Sequence, residues 1–158
     1  MPTKSTRFIQ TSAYDVAETY LGLHEVIGPK SNPQILAMLQ LDQAWPQDDA
    51  DAWCSAFANK ICHDLRLPRS RSLAARSWLT VGTRIAQSKA EIGLDVVVLS
   101  RGGGKQPGPE VLDAQGHVGF FGGWTPDGRV LVLAGNQGDA VNVAAFTTDR
   151  ILAIQRLA

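Results

Sequence analysis

The stretch GHVGFFGGWTPDGRVLVLAGNQ, residues 116–137, decides the fold class. Two runs rich in β-branched and aromatic residues, 117–121 and 129–134, flank Thr125-Pro126-Asp127-Gly128. Proline presets the first corner of a turn and glycine accepts a positive φ at its end. The tetrapeptide therefore reads as a tight reversal, and the two runs as an antiparallel hairpin. Upstream, Val96-Val97-Val98-Leu99 is a compact apolar run; downstream, strands are expected at 140–146 and 150–155. The stretch 101–109, rich in Gly and Pro, reads as a loop.

The first half of the chain reads helical. Ser12 with Asp15 three residues later resembles a capping box, followed by Ala13, Val16, Ala17, Tyr20 and Leu21 at helical spacing, with Gly22 as a stop. Asn32 with Pro33 marks a second start, with Ile35, Leu36, Met38 and Leu39 on its apolar side. A third helix is expected after the acidic run Asp48, Asp49, Asp51. Its Trp53, Phe57 and Ile61 step by four onto one face, and it ends before Pro68. A short fourth helix is expected around Ser72 to Leu79. Helices followed by about five antiparallel strands predict an α+β architecture, one domain over residues 1–158 with its core at about 12–156.

A chain of 158 residues buries about 70% of its unfolded surface and needs neither disulfide nor metal to hold it. Its 15 Lys and Arg balance 15 Asp and Glu, which argues against a nucleic-acid partner, since phosphate binding draws on a basic surplus. Arg66, Arg69, Arg71 and Arg76 form a local basic stretch, read as a solvated loop or as a contact for an anionic substrate. No run approaches a membrane span, and MPTKSTRFIQ lacks the apolar centre of a signal peptide. The expectation is therefore synthesis in the cytoplasm, no membrane insertion, and action at the cell wall or periplasm after phage-type release or non-classical secretion. Cys54 and Cys62, eight residues apart, would lie about 12 Å apart on one helix, beyond disulfide reach.

Cys54 falls in the first turn of the third helix. Unpaired N–H groups and the helix dipole there favour a thiolate, and the same N–H groups can hold an oxyanion. A thiol nucleophile needs a base. His63 lies nine residues along the same helix, about 13 Å up its axis, and His24 sits in a Gly-flanked turn. His117 opens a strand between glycines that allow close approach. The next strand ends in Gly135-Asn136-Gln137, so Asn136 is the candidate for orienting His117. Gly102-Gly103-Gly104-Lys105 is followed by Gln106 and lacks the spacing of a phosphate loop. Cys54, Cys62, His63 and His117 lack zinc-ligand spacing.

The order helix-borne Trp-Cys, strand-borne Gly-His-Val, then Gly-Asn-Gln resembles the CHAP amidohydrolase/peptidase class within the NlpC-type papain-like superfamily. More narrowly it resembles a group of phage and bacterial cell-wall hydrolase-like proteins. The shared motifs are Leu21-Gly22-Leu23-His24-Glu25 with Gly28 and Asn32-Pro33; Trp53-Cys54-Ser55-Ala56-Phe57; Ala75-Arg76-Ser77-Trp78-Leu79 with Gly82; Gly116-His117-Val118-Gly119-Phe120; and Gly135-Asn136-Gln137 before Val141. They span roughly residues 16 to 155. Ala134, where a second Gly is expected, and the Gly-rich stretch 101–109 depart from the pattern.

The resemblance implies a papain-like core and a cysteine hydrolase that cleaves amide bonds of peptidoglycan, as a stem-peptide endopeptidase or a sugar–peptide amidase, without cofactor or metal. Carried across, Cys54 is the nucleophile, His117 the base and then acid, and Asn136 the orienting residue. Trp53, Ser55, Trp78, Gly116 and Gln137 are the expected oxyanion or substrate contacts. An immunity or inhibitor protein seated in the cleft is a further expected partner. The alternatives are an inactive wall-binding or assembly module, and a cysteine hydrolase or transferase acting on another amide.

Overall fold

The computed structural model describes residues 9–27, 30–46 and 52–158. The acidic run Asp48, Asp49, Asp51, Gly28 of the opening motif and most of the amino-terminal stretch lie outside these residues. Val96–Leu99 does not alternate with polar residues because both faces of its strand are covered. Val96 and Val98 join the core beneath the helices, whereas Val97 and Leu99 join a second apolar cluster on the opposite face with Phe121, Val132 and Ile154.

This strand, β2 (Asp95–Ser100), lies inside a six-stranded sheet with β1 (Thr83–Ile85), β3 (Gly116–Trp124), β4 (Val130–Gln137), β5 (Ala140–Phe146) and β6 (Ile151–Arg156). The order is β1-β6-β2-β3-β4-β5, and every neighbouring pair is antiparallel. The expected hairpin is β3–β4: Thr125 N–H donates to Arg129 O at 2.8 Å, Gly128 N–H donates to Thr125 O at 3.0 Å, and Gly128 takes φ +85°. The strand beyond the expected five is β1, an edge strand of three residues, too short to show a period in sequence.

The helical half follows its caps. Helix α1 (Ala13–Glu18) opens on a complete capping box between Ser12 and Asp15. It stops short of Gly22, which instead turns the chain at φ +91°. Helix α2 (Pro33–Leu39) starts on Asn32, whose side chain accepts the N–H of Gln34. Helix α3 (Cys54–Asp64) begins on Trp53, and Trp53, Phe57 and Ile61 are all fully buried. The expected fourth helix is a 3-10 helix, Ala75–Thr80. No described helix is long and apolar enough to cross a membrane. The chain is thus α+β, with helices packed on an antiparallel sheet.

The basic stretch divides by environment. Arg69 forms a two-pronged ion pair with Asp42 at 2.6 and 3.0 Å. Arg76 is fully buried, and its guanidinium donates to the carbonyls of Pro107, Gly108, Val111 and Gln115 at 2.8–3.0 Å. Those bonds tie the end of the Gly-rich loop and the segment after it to the 3-10 helix.

Helix α3 reaches the sheet because β4 carries no side chain where they meet. A Cβ added at Gly135 would stand 2.5 Å from the Trp53 ring and 3.0 Å from Phe57 Cβ. Gly135→Ala should therefore lower unfolding stability by about 1–3 kcal/mol, the usual cost of overpacking a filled core. Urea denaturation measures it, and an unchanged midpoint would contradict this close packing.

Candidate active site

Cys54 and His117 lie on the two elements that meet where β3 and β4 part: Cys54 opens α3 and His117 lies at the start of β3. β3 pairs with β4 from Trp124↔Val130 to Phe120↔Leu133, and the β4 register shifts between Ala134 and Gln137. Within that shift Asn136 takes a left-handed φ of +59°. The amino end of α3 meets β3 here: the Cys54 sulfur accepts the backbone N–H of Val118, the residue directly after His117, and the N–H of Ser55. Cys54 is 3% exposed and His117 5%, so both groups sit just beneath the surface. Sulfur and imidazole make no direct hydrogen bond with each other.

The imidazole is oriented by Gln137 rather than by Asn136. His117 Nε2 lies 2.9 Å from Gln137 Oε1. The Gln137 amide nitrogen faces three acceptors, Val132 O at 3.2 Å, Asn142 O at 2.8 Å and Asn142 Oδ1 at 2.9 Å. The oxygen of that amide must therefore point at the ring, and His117 Nε2 must carry the proton. Nδ1 is left with its lone pair free to act as a base. Asn142 closes the arrangement by donating to Gln137 O at 2.7 Å. Phe146 packs on the ring at 5.7 Å between centroids. Asn136, expected in the orienting role, lines the cavity beside His117 without bonding to it. The one-residue difference arises from the left-handed turn at Asn136, which swings the following side chain toward the histidine.

Burial governs the ionisation of both groups. The buried Cys54 thiol is held above its ordinary pKa, although the Val118 and Ser55 N–H groups and the Arg101 charge oppose this. The expectation that the helix start lowers the thiol pKa is thus corrected, because desolvation outweighs the N–H donors. Burial also lowers the His117 pKa to about 4; its bond to Gln137 opposes the shift, and Arg101 and Arg150 add to it. At neutral pH the resting pair is a thiol and a neutral imidazole. Cys62 is free, as is Cys54, and burial pushes its thiol up to about 12.

Of the other expected contacts, Gly116 and Gln137 border the cleft, whereas three residues belong to the core. Trp53 is fully buried, with its indole N–H donating to Glu25 at 2.7 Å. The hydroxyl of fully buried Ser55 donates to Ser72 O at 2.5 Å and accepts the Trp78 indole N–H at 2.8 Å. Trp78 is likewise fully buried. These side chains support the start of α3 from behind. His63 pairs with Asp64 at the far end of α3, and His24 bonds Gly22 O; neither lines the cavity beside His117 or the one beside Cys54.

Four residues at the site were not singled out from the sequence: Arg101, Asn142, Phe146 and Arg150. Arg101 lines both the cavity containing His117, of about 420 Å³, and the one containing Cys54, of about 400 Å³. Asn142, a lone polar residue inside the apolar run 140–146, is the only one whose position carried a readable signal.

No protein-family model and no curated protein matches the chain. Among solved structures it is similar to NlpC1 from Trichomonas vaginalis, with a TM-score of 0.57 and 16% identity over 98% of this chain. The match spans 48% of that protein, so the chain corresponds to about half its length. At this identity the likeness speaks to architecture: the chain has an NlpC-like fold.

Proposed function

We propose that the protein is a cysteine hydrolase of amide bonds in bacterial peptidoglycan, with Cys54 as nucleophile and His117 as base. The observation that carries the reading is a buried Cys54 sulfur at the start of α3 against the β3 backbone at Val118, the residue directly after a histidine whose Nε2 is committed to Gln137. A buried neutral base and a buried thiol, bordering two cavities that share Arg101 as a wall, are the groups that proton transfer requires. The NlpC-like fold adds to it by analogy.

In this mechanism the carbonyl carbon of the substrate meets the sulfur as the thiol proton passes to His117 Nδ1. The S–C bond forms, and the carbonyl electrons move to oxygen, where N–H groups at the start of α3 donate. The C–N bond then breaks, and the proton on Nδ1 goes to the leaving amine. Water enters, gives a proton to Nδ1 and attacks the thioester; the carboxylic acid leaves and the thiol is restored. Gln137 keeps the ring in the tautomer that accepts at Nδ1 throughout.

Digestion of purified peptidoglycan, followed by mass spectrometry of the fragments, tests the reading and names the bond cut. The wild-type chain should release new amino groups, and Cys54→Ala should release none while keeping its thermal unfolding profile. Retention of the wall polymer without cleavage would favour a binding module, and undiminished cleavage by Cys54→Ala would eliminate Cys54 as nucleophile.

Gln137→Leu should lower kcat by about 10²-fold or more, a loss in the range for general acid–base catalysis, with KM little changed. Asn136→Ala should cost far less. Steady-state kinetics on the released fragments compare them, and a reversed ranking would return the orienting role to Asn136.

The pH dependence follows from the His117 pKa of about 4. The acidic limb of kcat/KM should lie near that value and not near the ordinary imidazole value of about 6.5. Because the folded pKa is the lower one, the unfolded chain binds more protons between the two values. The stability linked to His117 is complete above about 6.5 and is lost as pH falls to about 4. Urea midpoints of wild type and His117→Phe over this range should diverge accordingly; parallel curves would show that the histidine is not buried neutral.

A further inference from the structure

The cleft is positively charged in a chain that is neutral as a whole. Arg101 and Arg150 both line the cavity beside His117, and among the described residues neither that cavity nor the one beside Cys54 is bordered by an acidic side chain. The sheet register explains the convergence. Leu99 pairs with both His117 and Ile151, so the end of β2, the start of β3 and the start of β6 meet at one edge. Arg101 follows β2 and Arg150 precedes β6.

These cations differ from the arginines that are paired with a carboxylate. Arg69, Arg129 and Arg156 each hold an aspartate. Arg101 is exposed and forms no hydrogen bond or ion pair among the described residues. Arg150 holds no carboxylate, yet it is fixed: its Nε and Nη2 donate to Ser100 O at 3.2 and 2.8 Å, and its guanidinium lies 4.9 Å from the Phe146 ring centre. Its Nη1 has no protein partner among the described residues. Its chain neighbour Asp149 does not border the His117 cavity; it lines a second hollow with the Gly-rich loop, which Arg150 also borders. A guanidinium held rigidly at a cavity wall with a free donor edge is preorganised for a carboxylate.

We propose that Arg101 and Arg150 form a carboxylate-binding subsite on the His117 side of the cleft, so that the substrate bears a free carboxyl close to the scissile amide. This subsite rests on the cleft assigned above and supplies its substrate preference. Arg101, bordering both cavities, reads the charge nearest the reacting carbonyl, and Arg150 reads it deeper in the His117 cavity. A peptide whose nearby carboxyls are all amidated fills the same space but leaves both guanidinium groups unanswered.

The test uses the full chain carrying Cys54→Ala. Soluble stem peptides released from peptidoglycan are titrated calorimetrically beside the same peptides with their carboxyls converted to carboxamides. The acid form should bind about tenfold or more tightly, as expected when charge-assisted hydrogen bonds are lost. Arg101→Gln should remove most of that preference, and Arg101→Lys should restore part of it. Arg101 is exposed and unbonded, so these changes leave the fold intact; Arg150→Gln is checked by thermal unfolding alongside. Equal affinity for both forms, or none for either, overturns the subsite. Wall cleavage by wild type is scored separately: carboxylate-dependent binding without hydrolysis retains the subsite and removes the hydrolase reading, whereas hydrolysis without acid preference does the reverse.

Discussion

The structure depends on the seating of α3 against the parted strands β3 and β4. Trp53 and Phe57 press on Gly135, and this close approach lets the Cys54 sulfur take the Val118 N–H. A side chain on β4 at that point would lift the helix and carry the sulfur away from the strand that bears His117. Packing and chemistry share one contact. The bonds behind it, Trp53 to Glu25 and Trp78 to Ser55, hold the helix start in a single orientation.

The electrostatic character of the cleft follows from the same burial. Removing Cys54 and His117 from water keeps both uncharged at rest, against the pull of backbone donors on the thiol. A site of this kind holds its proton in place until a substrate brings the carbonyl that accepts the sulfur's electrons. The two cleft arginines disfavour an imidazolium in the free protein. A bound carboxylate would offset that charge and ease protonation of the ring during the reaction, which links substrate charge to base strength.

Much of this architecture was legible in the sequence because it rests on local rules. Ser12 with Asp15, Asn32 with Pro33, and Thr125 to Gly128 each specify a cap or turn within a few residues, and all three form as read. Trp53, Phe57 and Ile61 are buried as their spacing suggested, but α3 is covered on nearly every side, including Ser55, Asn59 and Cys62. What was not legible depends on register and on three-dimensional closure. The left-handed turn at Asn136 decides whether it or Gln137 faces His117, and β1 is too short to announce itself. Arg101 and Arg150 stand 49 positions apart and meet only through the β2–β6 pairing. Cys54 illustrates a competition: the helix start was readable, but the burial that outweighs it was not.

The central claim is a buried, neutral His117 whose Nε2 is protonated toward Gln137 and whose Nδ1 is left to act as a base. Nitrogen-15 NMR of the imidazole in the full chain reads the tautomer and the titration together. The account predicts a protonated Nε2 and an unprotonated Nδ1 at neutral pH, with titration toward about 4. An imidazolium at neutral pH, or a proton on Nδ1 with Nε2 bare, would contradict it.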